Sequence, residues 1–236
     1  GETAVNYNRD VEIFPMLKKI LEKITGQSVY KSPTDMGVNK AGFGIIDDEK
    51  VKEAAKQEVI RRYFWYKVEY AKGHIEKDTV ARTQLLMENF NLTPEDRKVV
   101  IPAREVVKQR KKQGCSESCE ALCGAAIELK DGTIVTGKNS SLMDSASSLI
   151  LNAIKVVSGI PDNIHLLSPN IIESIQRLKD DTLKDRNLTL NLQETLIALS
   201  ISATTNPTAE LALSNLKKLS GCEVHFTHIQ SPTDER

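Results

Sequence analysis

Ala125-Ala-Ile-Glu-Leu-Lys-Asp-Gly-Thr-Ile-Val-Thr-Gly137 is the stretch whose reading decides the fold class. Two short β-prone runs, 125–130 and 133–137, flank Asp131-Gly132. An Asp-Gly pair between such runs is the strongest local hairpin signal. Side chains alternate across a strand, so the hairpin predicts Ile127 and Leu129 on one sheet face and Glu128 on the other. Working outward, an amphipathic helix is predicted over about 145–157, closed by Gly159 and Pro161. A short strand is predicted at 164–167, helices over 170–178 and 194–203, and a further helix from Asn206-Pro207 to Gly221. A last strand is predicted over 222–229. This β-β-α-β-α-α-α-β order suits a mixed sheet with helices packed on it.

Upstream, the pattern is helical. Val11, Ile13, Phe14, Leu17, Ile20, Leu21 and Ile24 recur at helical spacing, and Gly26 is a natural stop. Asp47 predicts the cap of a long helix through about 72, ended by Gly73, and Asp78 the cap of another through 90. Thr93-Pro94-Glu95-Asp96 predicts a helix start, which Pro102 should break or kink. The fold class expected is mixed α/β: a mainly helical region, 1–113, followed by an α/β domain, 114–236, with a mixed sheet flanked by helices.

The 236 residues carry 32 basic and 32 acidic side chains, so the chain lacks the broad basic face that phosphate-backbone binding needs, and no nucleic-acid partner is expected. No apolar run approaches the roughly 18 residues that span a bilayer, so no membrane partner is expected either. Residues 1–10 are polar and unlike a secretory signal, which points to a cytoplasmic, reducing compartment in which the four cysteines are thiols. The opening without Met and the stop at Ser231-Pro-Thr-Asp-Glu-Arg236 predict a fragment of a longer protein.

Cys115, Cys119 and Cys123 are spaced four apart without a Cys-x-x-Cys pair, and unligated thiols are expected. Cys222 and His228 fall on one face of the last predicted strand and His225 on the other, so the three cannot converge on one metal. Neither metal nor cofactor is expected, and no triad, Walker lysine loop or Gly-x-Gly-x-x-Gly occurs. The polar loops offer more. Asn8, Arg9 and Asp10 precede a helix start, where free N–H groups and the dipole favour anions. Ser32, Thr34, Asp35 and Asn39 surround Gly37 in a turn-rich loop that can cradle a polar ligand or satisfy its own backbone. A meeting of the two loops would place Arg9 beside Asp35 or a shared anion. Lys138 and Ser140 lead from the hairpin into a helix, and Asn206 leads into another. All are candidate ligand-binding residues, with helix capping as the competing role.

The stretches VNYNRDVEIFP (5–15), YKSPTDMGVN (30–39), EDRKVV (95–100), LKDGTIVTGKNSSL (129–142) and ALSISATTNPTAELAL (198–213) resemble an uncharacterised bacterial family catalogued only as proteins of unknown function. The resemblance implies that this is the C-terminal part of a longer protein whose N-terminal half carries a Gly-Ser-Gly-Lys segment similar to a phosphate-binding loop. It supplies no catalytic residues, and the 115–123 segment departs from its pattern. At fold level, 125–180 also resembles cytidine-deaminase-like domains. Their zinc-binding positions here read Asp144-Ser-Ala-Ser147 and Pro169-Asn-Ile-Ile-Glu173, without the ligands that activate water.

Two functions follow. The chain belongs to a cytosolic protein that binds a nucleotide or phosphorylated small molecule, or it is a non-catalytic oligomerisation or interaction module. Whether it is an enzyme is left open. A homo-oligomer is expected, because the run Tyr63-Phe-Trp-Tyr66 exceeds what one helix face buries. Elemental analysis of protein purified without chelator should find substoichiometric metal. One metal per chain, lost on Cys119→Ser, would contradict the reading of the cysteines as free thiols.

Overall fold

The computed structural model describes residues 19–27, 48–112 and 122–231, in two compact units that divide between Arg97 and Lys98. The first unit is helical. Residues 19–25 form helix α1, ended by Gly26 at φ 69°. Helices α2 (Asp48–Ala71) and α3 (Lys77–Asn89) form a hairpin turned at Gly73, whose φ of 79° a side chain would resist. Val59 and Ile60 of α2 bury against Leu86 and Met87 of α3, with Tyr63, Phe64 and Leu92 packed around them. The aromatic run therefore splits: Tyr63 and Phe64 join this core, whereas Trp65 stays 58% exposed. The Thr93 start signal yields a single 3-10 turn, Pro94–Asp96, in which the Thr93 N–H donates to Asp96 Oδ2 at 2.6 Å.

The second unit is the α/β part. Helix α4 (Val100–Lys112) contains Pro102 in its first turn, where the missing N–H has no intrahelical acceptor to lose. The proline thus begins a helix that the sequence pattern read as broken there. Strands β1 (Gly124–Glu128) and β2 (Ile134–Lys138) form the expected hairpin. Its turn is closed by Gly132 N–H to Leu129 O at 2.9 Å and by Thr133 N–H to Asp131 Oδ1 at 2.9 Å. That amide donation holds the Asp131 carboxyl below its ordinary range. Strand β3 (Glu223–Phe226) adds to the other side of β1, giving an antiparallel sheet of order β2-β1-β3.

Helices cover both sheet faces. Ala126 packs with Val99 and Ala103 of the α4 segment on one face. Ala125, Ile127, Leu129 and Val135 pack with Leu149 and Ala153 of α5 (Ser145–Ser158) on the other. The alternation predicted for Ile127 and Leu129 is thus present, and Glu128 instead accepts from Lys98 Nζ at 2.7 Å. Behind α5 lie α6 (Pro169–Arg177), α7 (Leu192–Ala203) and α8 (Pro207–Asn215), sharing a core of Leu151, Ile154, Leu190, Leu199 and Ala209. Fully burying each such leucine or isoleucine contributes about 1.5–3 kcal/mol.

The mixed α/β class holds, with two differences of detail. Residues 164–167 are not a strand. Ile164 N–H closes a turn onto Pro161 O at 3.1 Å, and Leu166 and Leu167 turn into the helical core, so their apolar run reflects burial among helices. Without that strand the sheet is antiparallel throughout, and the parallel pairing among the described residues is the isolated bridge Met143–Leu190. No helix of the described residues is long and apolar enough to cross a membrane.

Two glycines set the layer spacing. A Cβ on Gly124 would lie 2.6 Å from Ala103 O, and one on Gly137 would lie 2.4 Å from Leu149 N and 2.5 Å from its Cα. Both obstacles are backbone, which cannot rotate away. Gly137→Ala should therefore cost about 1–3 kcal/mol by forcing α5 off the sheet. Gly132→Ala meets no atom within 4 Å and suffers only its positive φ, so it should cost less. Urea denaturation of both variants checks the ranking, and an unchanged midpoint for Gly137→Ala would refute the contact.

Candidate functional site

Among the described residues β2 is an edge strand, and its outer edge forms the floor of a cleft of about 220 Å³. Helix α4 contributes Val106, Gln109 and Arg110, β2 contributes Thr136, Gly137 and Lys138, and α5 contributes Ser148 and Asn152. The strand register explains what faces it. Leu129 N–H donates to Thr133 O at 2.8 Å and Asn139 N–H to Cys123 O at 3.2 Å, so odd-numbered residues of this stretch pair with β1. Antiparallel pairing alternates, which turns the amides and carbonyls of Ile134, Thr136 and Lys138 away from β1. Asn152 Nδ2 donates to Thr136 O at 2.9 Å and so occupies part of that edge, a protection against strand addition.

The electrostatics of the cleft are one-sided. Arg110 and Lys138 are its charged residues, and among the described residues no carboxylate lines it. Arg110 Nη1 donates to Asn139 O and to Asn139 Oδ1, the latter at 3.0 Å. The same Asn139 Oδ1 accepts the Cys123 N–H at 2.9 Å. Arg110 is thereby anchored on both oxygens of Asn139. Lys138 is exposed and forms no ion pair with the described residues.

Of the candidates from sequence, Lys138 lines the cleft. Ser140 Oγ accepts the Leu142 and Met143 amides at 3.2 and 3.3 Å and so shapes the turn before α5. Asn206 Oδ1 accepts the Thr208 N–H at 2.9 Å, capping α8. Asn8, Arg9, Asp10, Ser32, Thr34, Asp35 and Asn39, with the pocket foreseen between their loops, lie outside the described residues. So do Cys115 and Cys119, whereas Cys123 and Cys222 are not joined in a disulfide. Among the described residues no group of three His, Cys, Asp or Glu side chains could hold a metal ion. Asp144, at the first deaminase-like position, accepts the Ser147 N–H at 2.7 Å as the cap of α5.

Sequence reasoning missed Arg110, Ser148 and Asn152. Arg110 sits in a basic run, Lys108 to Lys112, that reads as a solvated helix end. Only the placement of α4 against the sheet singles it out. Ser148 and Asn152 carried a usable signal: they are polar, one helical turn apart, on a helix whose other faces are apolar.

Lys179 is a second buried cluster of a different kind. Its Nζ donates to Thr189 O at 2.8 Å and to Glu194 Oε2 at 2.9 Å, beside Asp185 Oδ2 at 3.7 Å. Glu194 also accepts the Asn191 N–H at 2.9 Å within the capping box of α7. Every partner is structural, and the group ties the π-helical turn Leu178–Leu183 to α7.

Comparison with known proteins agrees with this division of the chain. Residues 1–91 match the family model described as "Domain of unknown function DUF1846, N-terminal", and residues 95–236 match "Domain of unknown function DUF1846, C-terminal". The chain belongs to the DUF1846 family. Similar proteins include the "UPF0371 protein" of Clostridium botulinum strain Langeland, 55% identical over 238 residues. That of strain Alaska E43 is 54% identical over 236 residues. Each comparison covers 100% of this chain and 47% of the relative, so the chain spans about half the length of the relatives it matches. The resemblance to an uncharacterised bacterial family with longer members is thus confirmed, and no specific function comes with it.

Asn139 is the residue to remove when probing the cleft wall. Asn139→Ala deletes the acceptor shared by Arg110 and Cys123 and should cost about 1–3 kcal/mol, two hydrogen bonds of which one is charge-assisted. The measurement is the shift in denaturation midpoint, with Ser140→Ala alongside to gauge the neighbouring turn. No shift for Asn139→Ala would show that the side-chain oxygen of Asn139 adds nothing to the hold of its main-chain oxygen on Arg110.

Proposed function

We propose that the DUF1846 C-terminal region binds the anionic group of a phosphorylated small molecule in the cleft between α4, β2 and α5. The observation that carries this reading is the exposed ammonium of Lys138, which forms no ion pair with the described residues, in a cleft that Arg110 also lines and where the described residues place no carboxylate. Guanidinium and ammonium groups on a shared anion form charge-assisted hydrogen bonds, stronger than neutral ones. The outward amides of Thr136 and Lys138 are further donors of the kind that phosphates use. Chemistry on the ligand is not part of the proposal, because among the described lining residues no nucleophile is paired with a base. The protein is proposed to act in the cytoplasm, where Cys123 and Cys222 would remain reduced.

A second reading, an interaction module that assembles copies of the chain, has its own observation. Ile197 and Ile201 of α7 are 59% and 51% exposed, one turn apart, on a helix that buries Thr195, Ala198, Leu199 and Ser202.

Isothermal titration of the full chain with inorganic phosphate tests the first reading. Binding is expected to be saturable. Arg110→Gln and Lys138→Gln should each weaken it by about ten- to a hundredfold, the range for losing a hydrogen bond to a charged group. Absence of binding, or affinity unchanged in both variants, would remove the anion site.

A further inference from the structure

We infer that the exposed face of α7 docks a second copy of this chain, in an antiparallel contact of α7 on α7 about a two-fold axis; the inference rests on the assembly reading above. Gln193, Ile197, Ser200, Ile201 and the C-cap Thr204 are exposed. They recur at i, i+4, i+7, i+8 and i+11, so they form one stripe along the helix. The opposite stripe, Thr195, Ala198, Leu199 and Ser202, is buried in the domain. None of the five exposed residues is charged, although 27% of the chain is, so this stripe is unlike an ordinary solvated helix face. Its centre is the pair of isoleucines.

Charge pattern and spacing identify the occupant. In a two-fold contact a surface meets its own copy, so a charged stripe confronts like charge unless both signs are correctly placed within it. A stripe without charge escapes that penalty. An axis at the level of Leu199 sets Ile197 of one copy opposite Ile201 of the other, because the two positions lie equally far from 199. The same operation sets Gln193 opposite Thr205, which is also exposed. The Gln193 amide and the Thr205 hydroxyl can each donate and accept. The apolar centre is therefore closed at both ends by groups able to hydrogen-bond to each other, the core-and-rim arrangement of protein interfaces.

Size sets the strength of the contact. The 12 residues of α7 span about 18 Å, and a helix about 10 Å wide then offers a footprint of roughly 200 Å². A standard stable interface takes about 800 Å² from each partner. Neighbouring leucines extend the apolar area. Leu178 and Leu183 are exposed on the π-helical turn that Lys179 ties to Glu194 in the first turn of α7, and Leu211 is exposed on α8. The contact belongs to the weak, reversible class, with a dissociation constant on the order of micromolar or above.

The test is sedimentation velocity of the full chain from low micromolar to millimolar concentration, where a monomer–dimer equilibrium is expected. Ile197→Glu and Ile201→Lys should each weaken dimerisation by about tenfold or more. Both positions are exposed, so the thermal midpoint of the monomer should stay where it is. Mixed in equal amounts, the two variants should associate more tightly than either alone, because the antiparallel contact sets the new carboxylate at 197 opposite the new ammonium at 201. A dimer that both variants leave intact, or a mixture no tighter than its components, would overturn the α7 contact while assembly stands. A chain that is monomeric at every concentration would overturn both, and would point to the remaining half of the longer relatives as what covers α7.

Discussion

Where α5 crosses β2, the backbone of Leu149 occupies the space that a side chain on residue 137 would need. That contact of backbone on backbone sets the height of α5 above the sheet. At this height Leu149 and Ala153 reach the sheet core, and Asn152 reaches the carbonyl of Thr136. The opposite face of α5 is then free to collect α6, α7 and α8 around Leu151 and Ile154. Gly124 performs the equivalent service for α4 on the other face. A sheet of three short strands would be marginal with one covered face; two closely seated helices give it a core on both.

The cleft is a by-product of the same seating. Two helices approach the sheet from opposite faces and leave the outer edge of β2 as the floor between them. Such an edge carries unpaired donors and acceptors, which proteins commonly cover or blunt. Here one carbonyl is covered by Asn152, and two cations stand beside the rest. On the reading proposed above, an anion is the solute this arrangement would take, because the outward amides and the side-chain charges act on it with the same sign.

The hairpin, its Asp-Gly turn and the alternation of Ile127 with Glu128 were legible in the sequence because turn chemistry and period-two burial are local properties. Helix α5 was legible for the same reason: its cap Asp144 and terminator Gly159 bound an apolar run. What failed to show was non-local. Leu166 and Leu167 form an apolar run whether they enter a sheet or a helical core, and only their neighbours distinguish the two. Pro102 reads as a breaker until the start of α4 is known, after which it occupies a position that tolerates it. Of the cleft, Lys138 was legible from its place at the end of the hairpin. Arg110 was hidden in a basic run, since nothing local tells a helix-end cation facing solvent from one facing β2.

Asn139 receives Arg110 from the end of α4 and the Cys123 amide from the start of β1. It therefore staples together the two chain positions on either side of the stretch that links helix to strand. Once the ends of a connection are pinned, lengthening it is inexpensive, with each doubling of loop length adding only about 0.6 kcal/mol. A change of length between Arg110 and Cys123 would thus leave the sheet register and the Asn139 anchor in place at little cost in free energy.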